Sequence, residues 1–153
     1  MKDTSLRTAL IVDDSPDLIA LLTAALPRHW PTARLTVLSA ATLDEATAIL
    51  GTSPIDLVVL DLLMPVGGGP TAVHQILPTM QAILGRLLPV VVISGYMSDI
   101  VEEQALRVGM QACVQKGGQH FPRRLAEAMR AAWSRHLYIE ERLRLLREAG
   151  THG

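Results

Sequence analysis

Five residues of this 153-residue chain could bind or receive a charged group, and each stands at or just after the end of a short apolar run. Asp13 and Asp14 follow TALIV, Asp61 closes LVVLD, Ser94 closes VVVIS and Lys116 follows ACVQ. Runs of this kind read as buried strands. If those strands lie parallel in one sheet, their carboxyl ends share one rim, and three carboxylates on that rim repel one another unless a cation neutralises them. Hard oxygen ligands with positions left open to water suit Mg²⁺. A lysine and a hydroxyl facing the same spot add two donors suited to a phosphoryl group. A single Asp after a strand serves as a helix cap or turn former, but five polar residues at successive strand ends point to a common site. Lys116 draws further notice because 12 of the 14 basic residues are Arg and the other lysine is Lys2.

The elements that must position these residues are legible. Five runs, at 8–13, 35–40, 55–61, 89–94 and 112–116, recur along the chain. Four are nearly continuous in Val, Ile and Leu, as strands covered on both faces of a parallel sheet are. Helical patterns lie between them. The first is predicted to start with Ser15 as N-cap and Pro16 at the first helical position, running through Leu18, Ile19, Leu22 and Leu26 until Pro27. The second is predicted over about 43–50, capped by Thr42 and stopped by Gly51. A third, over about 70–85, contains Pro78 and should kink or break there. A fourth begins near Ser98 and ends at Gly109, and the last starts near Phe121-Pro122 and runs on towards Gly150. Alternating strands and helices with right-handed crossovers give an open, doubly wound α/β sheet, whose sites form at the carboxyl ends of strands.

Composition sets the class: 49% hydrophobic, 19% charged and a net charge of −1, with a mean hydropathy of +0.28, fit one globular domain with a sizeable core. Cys113 is the single cysteine, so no internal disulfide forms and the cytoplasm is the expected compartment. No apolar run approaches the ~20 residues of a membrane span, and no signal peptide or membrane anchor is expected. Residues 1–115 hold 6 basic and 11 acidic residues and residues 116–153 hold 8 and 4, a mildly basic C-terminal end. The balance argues against a dedicated nucleic-acid binder.

VDDS at 12–15, LVVLDLLMP at 57–65, VVVISG at 90–95 and VQK at 114–116, in that order and spacing, resemble the response-regulator receiver domain over about residues 7–134. The resemblance implies a flavodoxin-like sheet of order 2-1-3-4-5, with 135–153 as a C-terminal helical extension. It implies Asp61 as phosphoacceptor and Mg²⁺ held by Asp13, Asp14, Asp61 and the Leu63 carbonyl. Lys116 would hold the phosphoryl group and Ser94 would turn towards it. The chain would then be a phosphorylation switch rather than a metabolic enzyme, fed by a histidine kinase or phosphotransfer protein. Three alternatives stand beside this. One is a receiver fragment of a DNA-binding regulator whose output domain is missing, and another is a constitutive pseudo-receiver docking module. The third, a haloacid-dehalogenase-type hydrolase, wants a second Asp two residues after the first, where this chain has Leu63.

The sequence departs from the family pattern in several places. Cys113 stands where an aromatic residue is usual, and a buried thiol there is expected to be inert. Tyr96 and Leu63 are bulky at positions that flank the phosphoryl group, which predicts slow self-dephosphorylation. Gly117-Gly118 replaces the usual cis-proline, predicting a trans and more mobile loop. Gly67-Gly68-Gly69 reads as a turn.

In the last helix Leu125, Met129, Ala132, His136, Ile139, Leu143 and Leu146 alternate spacings of 4 and 3, a heptad stripe. A helix over 122–149 is about 42 Å long at ~1.5 Å per residue, against ~17–20 Å for a strand, so its second half overshoots the domain. Ile139, Leu143 and Leu146 then need a partner. The possibilities are a homodimer, a fold-back onto their own domain after a bend near 136–138, or a linker to an output domain. His136 reads as a packing residue and not a phosphorelay histidine.

Overall fold

The computed structural model describes residues 5–30, 34–61, 88–95, 99–107 and 109–151. Five parallel strands, β1 (Thr8–Val12), β2 (Thr36–Ala40), β3 (Leu57–Asp61), β4 (Val90–Ser94) and β5 (Ala112–Gln115), form one sheet in the order β2-β1-β3-β4-β5. The described helices are α1 (Pro16–Ala25), α2 (Leu43–Thr52), α3 (Asp99–Arg107) and α4 (Phe121–Thr151). The helix predicted over 70–85 and its Pro78 lie outside the described residues, as does Gly67-Gly68-Gly69. Among the described residues no helix is long and apolar enough to cross a membrane.

Every residue of β3 and β4 is buried, because alternate side chains enter two separate cores. Leu10, Val12, Val58, Leu60, Val90 and Val92 face Ala46 and Leu50 of α2 and Ala105 of α3. Ala9, Ile11, Leu57, Val59, Val91 and Ile93 face Leu22 of α1 and Leu125, Ala126, Met129 and Ala132 of α4. Continuous apolar strands are what this two-sided covering requires.

Helix ends follow local chemistry. Ser15 Oγ accepts from Leu18 N–H at 3.3 Å. Thr42 Oγ1 accepts from Glu45 N–H, while the Glu45 carboxylate reaches back to Ala41 N–H, a reciprocal arrangement close to a capping box. Gly109, at φ 96°, closes α3: its N–H donates to Leu106 O, and Met110 N–H donates to Ala105 O, the Schellman pattern.

One predicted end is corrected. Gly51 does not stop α2, which runs on to Thr52. The stop comes from Pro54, which forces Ser53 into extended backbone at φ −131° and ψ 142°. Pro27 ends α1 as expected, the helix closing at Ala25 with Leu26 as its C-cap. It opens a 3₁₀ turn over Leu26–His29, since a residue without an N–H can begin a new turn but cannot continue the old one. Arg130 fastens that turn to α4, donating to His29 O at 2.9 Å and lying over the Trp30 ring.

α4 is a single helix of 31 residues. The fold-back is therefore overturned: there is no bend at 136–138, and Ile139, Leu143 and Leu146 are 40%, 48% and 63% exposed. His136 is buried, stacked on Trp133 and paired through Nε2 with Glu140 at 3.1 Å. The charged flank of the extension is partly self-neutralised, Arg144 being held by Glu141 and Glu148.

Candidate functional site

Sheet register brings the strand ends together. Val12 pairs with Leu60, so Asp13 lies beside Asp61 one step on; Asp61 pairs with Ile93 and Ser94 with Gln115. The order β2-β1-β3 means that the chain leaves β1 towards β2 on one side and returns as β3 on the other. The resulting crevice is where doubly wound sheets hold ligands.

In that crevice Lys116 Nζ stands 2.7 Å from Asp13 Oδ2 and 3.1 Å from Asp61 Oδ2. The side chains of Asp13 and Asp61 are 0% and 4% exposed, against 21% for the lysine, so the lysine side chain is the most open of the three. Burial works against its charge, but the carboxylates of Asp13 and Asp61 outweigh burial and raise its pKa above 10.5. Lys116 N–H donates to Ser94 O at 2.8 Å, tying the end of β4 to the lysine, and the Ser94 side chain is buried there. Asp13 is fixed from two sides: its N–H donates to Ala40 O, and its Oδ1 accepts from Ser15 N–H at 2.9 Å.

Oxygens of Asp13, Asp14 and Asp61 lie within 4.8 Å of one another, with Asp14 exposed. Asp13 Oδ2 is buried and faces the Lys116 ammonium at 2.7 Å. Three clustered carboxylates, two of which share one ammonium and one of which is open to water, are a donor set that fits a hard divalent cation.

Of the predicted site residues, Asp13, Asp14, Asp61, Ser94 and Lys116 thus meet at one rim. Leu63 and Tyr96 lie outside the described residues. Cys113 is half-buried in β5, and burial, then the Glu102 carboxylate, pushes its thiol up to about 11. A rise from 9.0 to about 11 lowers the thiolate fraction at pH 8 about a hundredfold. Iodoacetamide should therefore alkylate the folded protein roughly 100-fold more slowly than the unfolded chain. Rates within a few-fold of each other would contradict the inert assignment.

One contributor escaped the sequence reading. Arg124, in the first turns of α4, donates to Gln115 O at 3.2 Å and Gly117 O at 2.6 Å, the carbonyls on either side of Lys116. No pattern in the sequence signals a contact between a side chain and loop carbonyls that come together only on folding. The loop is trans, as expected, with φ of 94° at Gly117 and 87° at Gly118. Gly117→Ala puts a Cβ into left-handed backbone and should cost about 1–2 kcal/mol, read as a lower denaturant midpoint with an unchanged slope.

A five-stranded parallel sheet of this order, with an acid pair, a third acid, a hydroxyl and a lysine at its carboxyl rim, defines a flavodoxin-like protein with an acidic, lysine-bridged pocket. The chain belongs to the response regulator receiver domain family, whose model matches residues 9–130. It is 33% identical over 109 residues to a probable cyclic di-GMP phosphodiesterase of Vibrio cholerae, covering 71% of this chain and 23% of that protein. It is 35% identical over 105 residues to the response regulator protein PilR of Pseudomonas aeruginosa, covering 69% and 22%. The match thus spans less than a quarter of each of these relatives. Among solved structures, a CheY-like receiver domain protein from Methanospirillum hungatei superposes with a TM-score of 0.66 at 23% identity, covering 86% of this chain and 96% of that one.

Proposed function

We propose that this chain is a cytoplasmic phosphoacceptor switch, with 7–134 as the receiver and 135–153 as a helical extension. Asp61 takes a phosphoryl group from a phosphohistidine on a histidine kinase or phosphotransfer protein, and the change in shape is read by a protein partner. The observation that carries this reading is the Lys116 ammonium lodged between the buried carboxylates of Asp13 and Asp61.

In the reaction an Asp61 carboxylate oxygen attacks phosphorus, the phosphorus–nitrogen bond to the donor imidazole breaks, and the imidazole leaves with a proton from solvent. The product is an acyl phosphate on Asp61. Lys116, kept charged by its carboxylate neighbours, offers its ammonium to the incoming oxygens. Asp13, Asp14 and Asp61, with the Leu63 carbonyl, would hold Mg²⁺, which when bound supplies positive charge against the transferring group. The Ser94 hydroxyl then turns towards the new phosphoryl oxygens. Because the Ser94 carbonyl is bonded to Lys116 N–H, that movement strains both strand ends and biases a two-state equilibrium of the neighbouring loops.

The test is intact mass after incubation with Mg²⁺ and acetyl phosphate, followed by borohydride reduction and peptide mapping. A Mg²⁺-dependent phosphoryl adduct mapped to Asp61 is the expected result. No adduct under any donor would favour the constitutive docking module.

A further inference from the structure

The second half of α4 carries an apolar edge that nothing among the described residues covers. Leu125, Met129, Ala132 and His136 stand on the helix edge buried in the domain, and the same spacing continues into the exposed Ile139, Leu143 and Leu146. We propose that this edge pairs with the same edge of a second copy of the chain, with the two helices antiparallel and overlapping only beyond His136. The proposal does not rest on phosphorylation of Asp61.

The direction follows first from space. Packed helix axes lie 8–10 Å apart, so a partner helix must run on the side towards which the stripe points. In the first half of α4 that side is filled by this molecule's own core, where Leu125, Met129 and Ala132 are buried in one cluster with Val91 and Ile93 of β4 and Val114 of β5. An ideal helix turns a heptad stripe by about 20° per heptad, or about 40° between Leu125 and Ile139, too little to swing it clear of the sheet. A parallel partner, followed back towards its own domain, would run into that sheet. An antiparallel partner carries its domain away beyond residue 151.

Charge selects the same arrangement and a register. With Leu143 opposite Leu146 of the second copy, Glu140 lies beside Arg147 of that copy and Arg142 beside its Ala149, each pair occurring twice by symmetry. A parallel pair would set Arg142 against Arg147 of the second copy. An antiparallel pair slipped by one heptad would set Arg142 against Arg142 and Glu140 against Glu140. The contact from His136 Nε2 to one Glu140 oxygen holds that carboxylate along the edge it needs. The overlap of about twelve residues falls below the ~1,200–2,000 Å² of standard stable interfaces, so the dimer should be concentration-dependent.

Sedimentation equilibrium of the full chain over a wide concentration range tests this, without phosphodonor. Arg147→Glu and Glu140→Arg should each weaken association about tenfold, and the doubly swapped protein should recover it. Arg147 is exposed, so circular dichroism and thermal melting of Arg147→Glu should match the native chain, whereas Glu140→Arg also loses the contact to His136 and is judged by whether the doubly swapped protein recovers association. A parallel dimer gives the opposite sign, since Arg147→Glu would then remove a clash with Arg142 and tighten association. That result overturns the proposed direction. A native chain that stays monomeric at every concentration overturns the second copy as occupant and leaves the edge to a different protein.

Discussion

Asp61→Asn protein given Mg²⁺ and acetyl phosphate gains no phosphoryl mass, whereas the native chain gains one group. The amide of Asn has no carboxylate oxygen to form the acyl phosphate, so the loss is complete and not graded. The variant also removes one of three clustered carboxylates, two of which share a single ammonium, so in Mg²⁺-free buffer it should fold at least as well as the native chain. That separates lost chemistry from lost structure. Its stabilisation by Mg²⁺ should shrink as well: a ligand at a hundred times its Kd contributes about 2.7 kcal/mol to a protein that binds it, and the variant should show only a small part of the native melting shift. An adduct at the native level would sink the assignment of Asp61 as acceptor.

Lys116→Ala is expected to produce the largest change in stability. It leaves Asp13 and Asp61, with side chains only 0% and 4% exposed, without their ammonium. Removing one partner of a fully buried ion pair costs about 3–5 kcal/mol. Water can enter where the lysine was partly open, so about 1–3 kcal/mol is expected here in Mg²⁺-free buffer at neutral pH. The pH dependence has a definite sign. The folded-state pKa of Lys116 is raised, so its contribution is present in full at neutral pH and is lost as pH climbs past 10.5 and through the folded value. The gap between native and variant should therefore narrow only in strong alkali. Mg²⁺ should rescue the variant more than it stabilises the native chain. Equal urea midpoints for the two proteins at pH 7.5 without Mg²⁺ would show that the lysine does not hold the pocket together.

The strands were legible because burial on both faces demands unbroken Val, Ile and Leu, and no other element of that length does. The rim residues were legible because each immediately follows or ends such a run. What stayed hidden depends on distant parts of the chain or on competition between neighbours. At the end of α2 a lone Gly51 competes with Pro54, and proline wins: glycine inside a helix costs about 1 kcal/mol, while proline forbids helical backbone in the residue before it. Arg124 looks like any surface arginine until the loop after β5 turns its carbonyls towards it. His136 was legible as a packing residue and is buried, but its partners, Trp133 stacked on it one turn earlier and Glu140 paired with it one turn later, were not.

Arg124 and the length of α4 together make a mechanical element. The guanidinium grips the backbone on both sides of Lys116, and it stands at the root of a beam whose first half is clamped to the sheet and whose second half is a cantilever. Residues 137–151 extend about 22 Å at ~1.5 Å each. A tilt of about 5° at the clamp, too small to break the packing of Leu125 or Met129, would carry the free end about 2 Å sideways. The helix thus has the geometry of a pointer, whose far end magnifies any small tilt at its root.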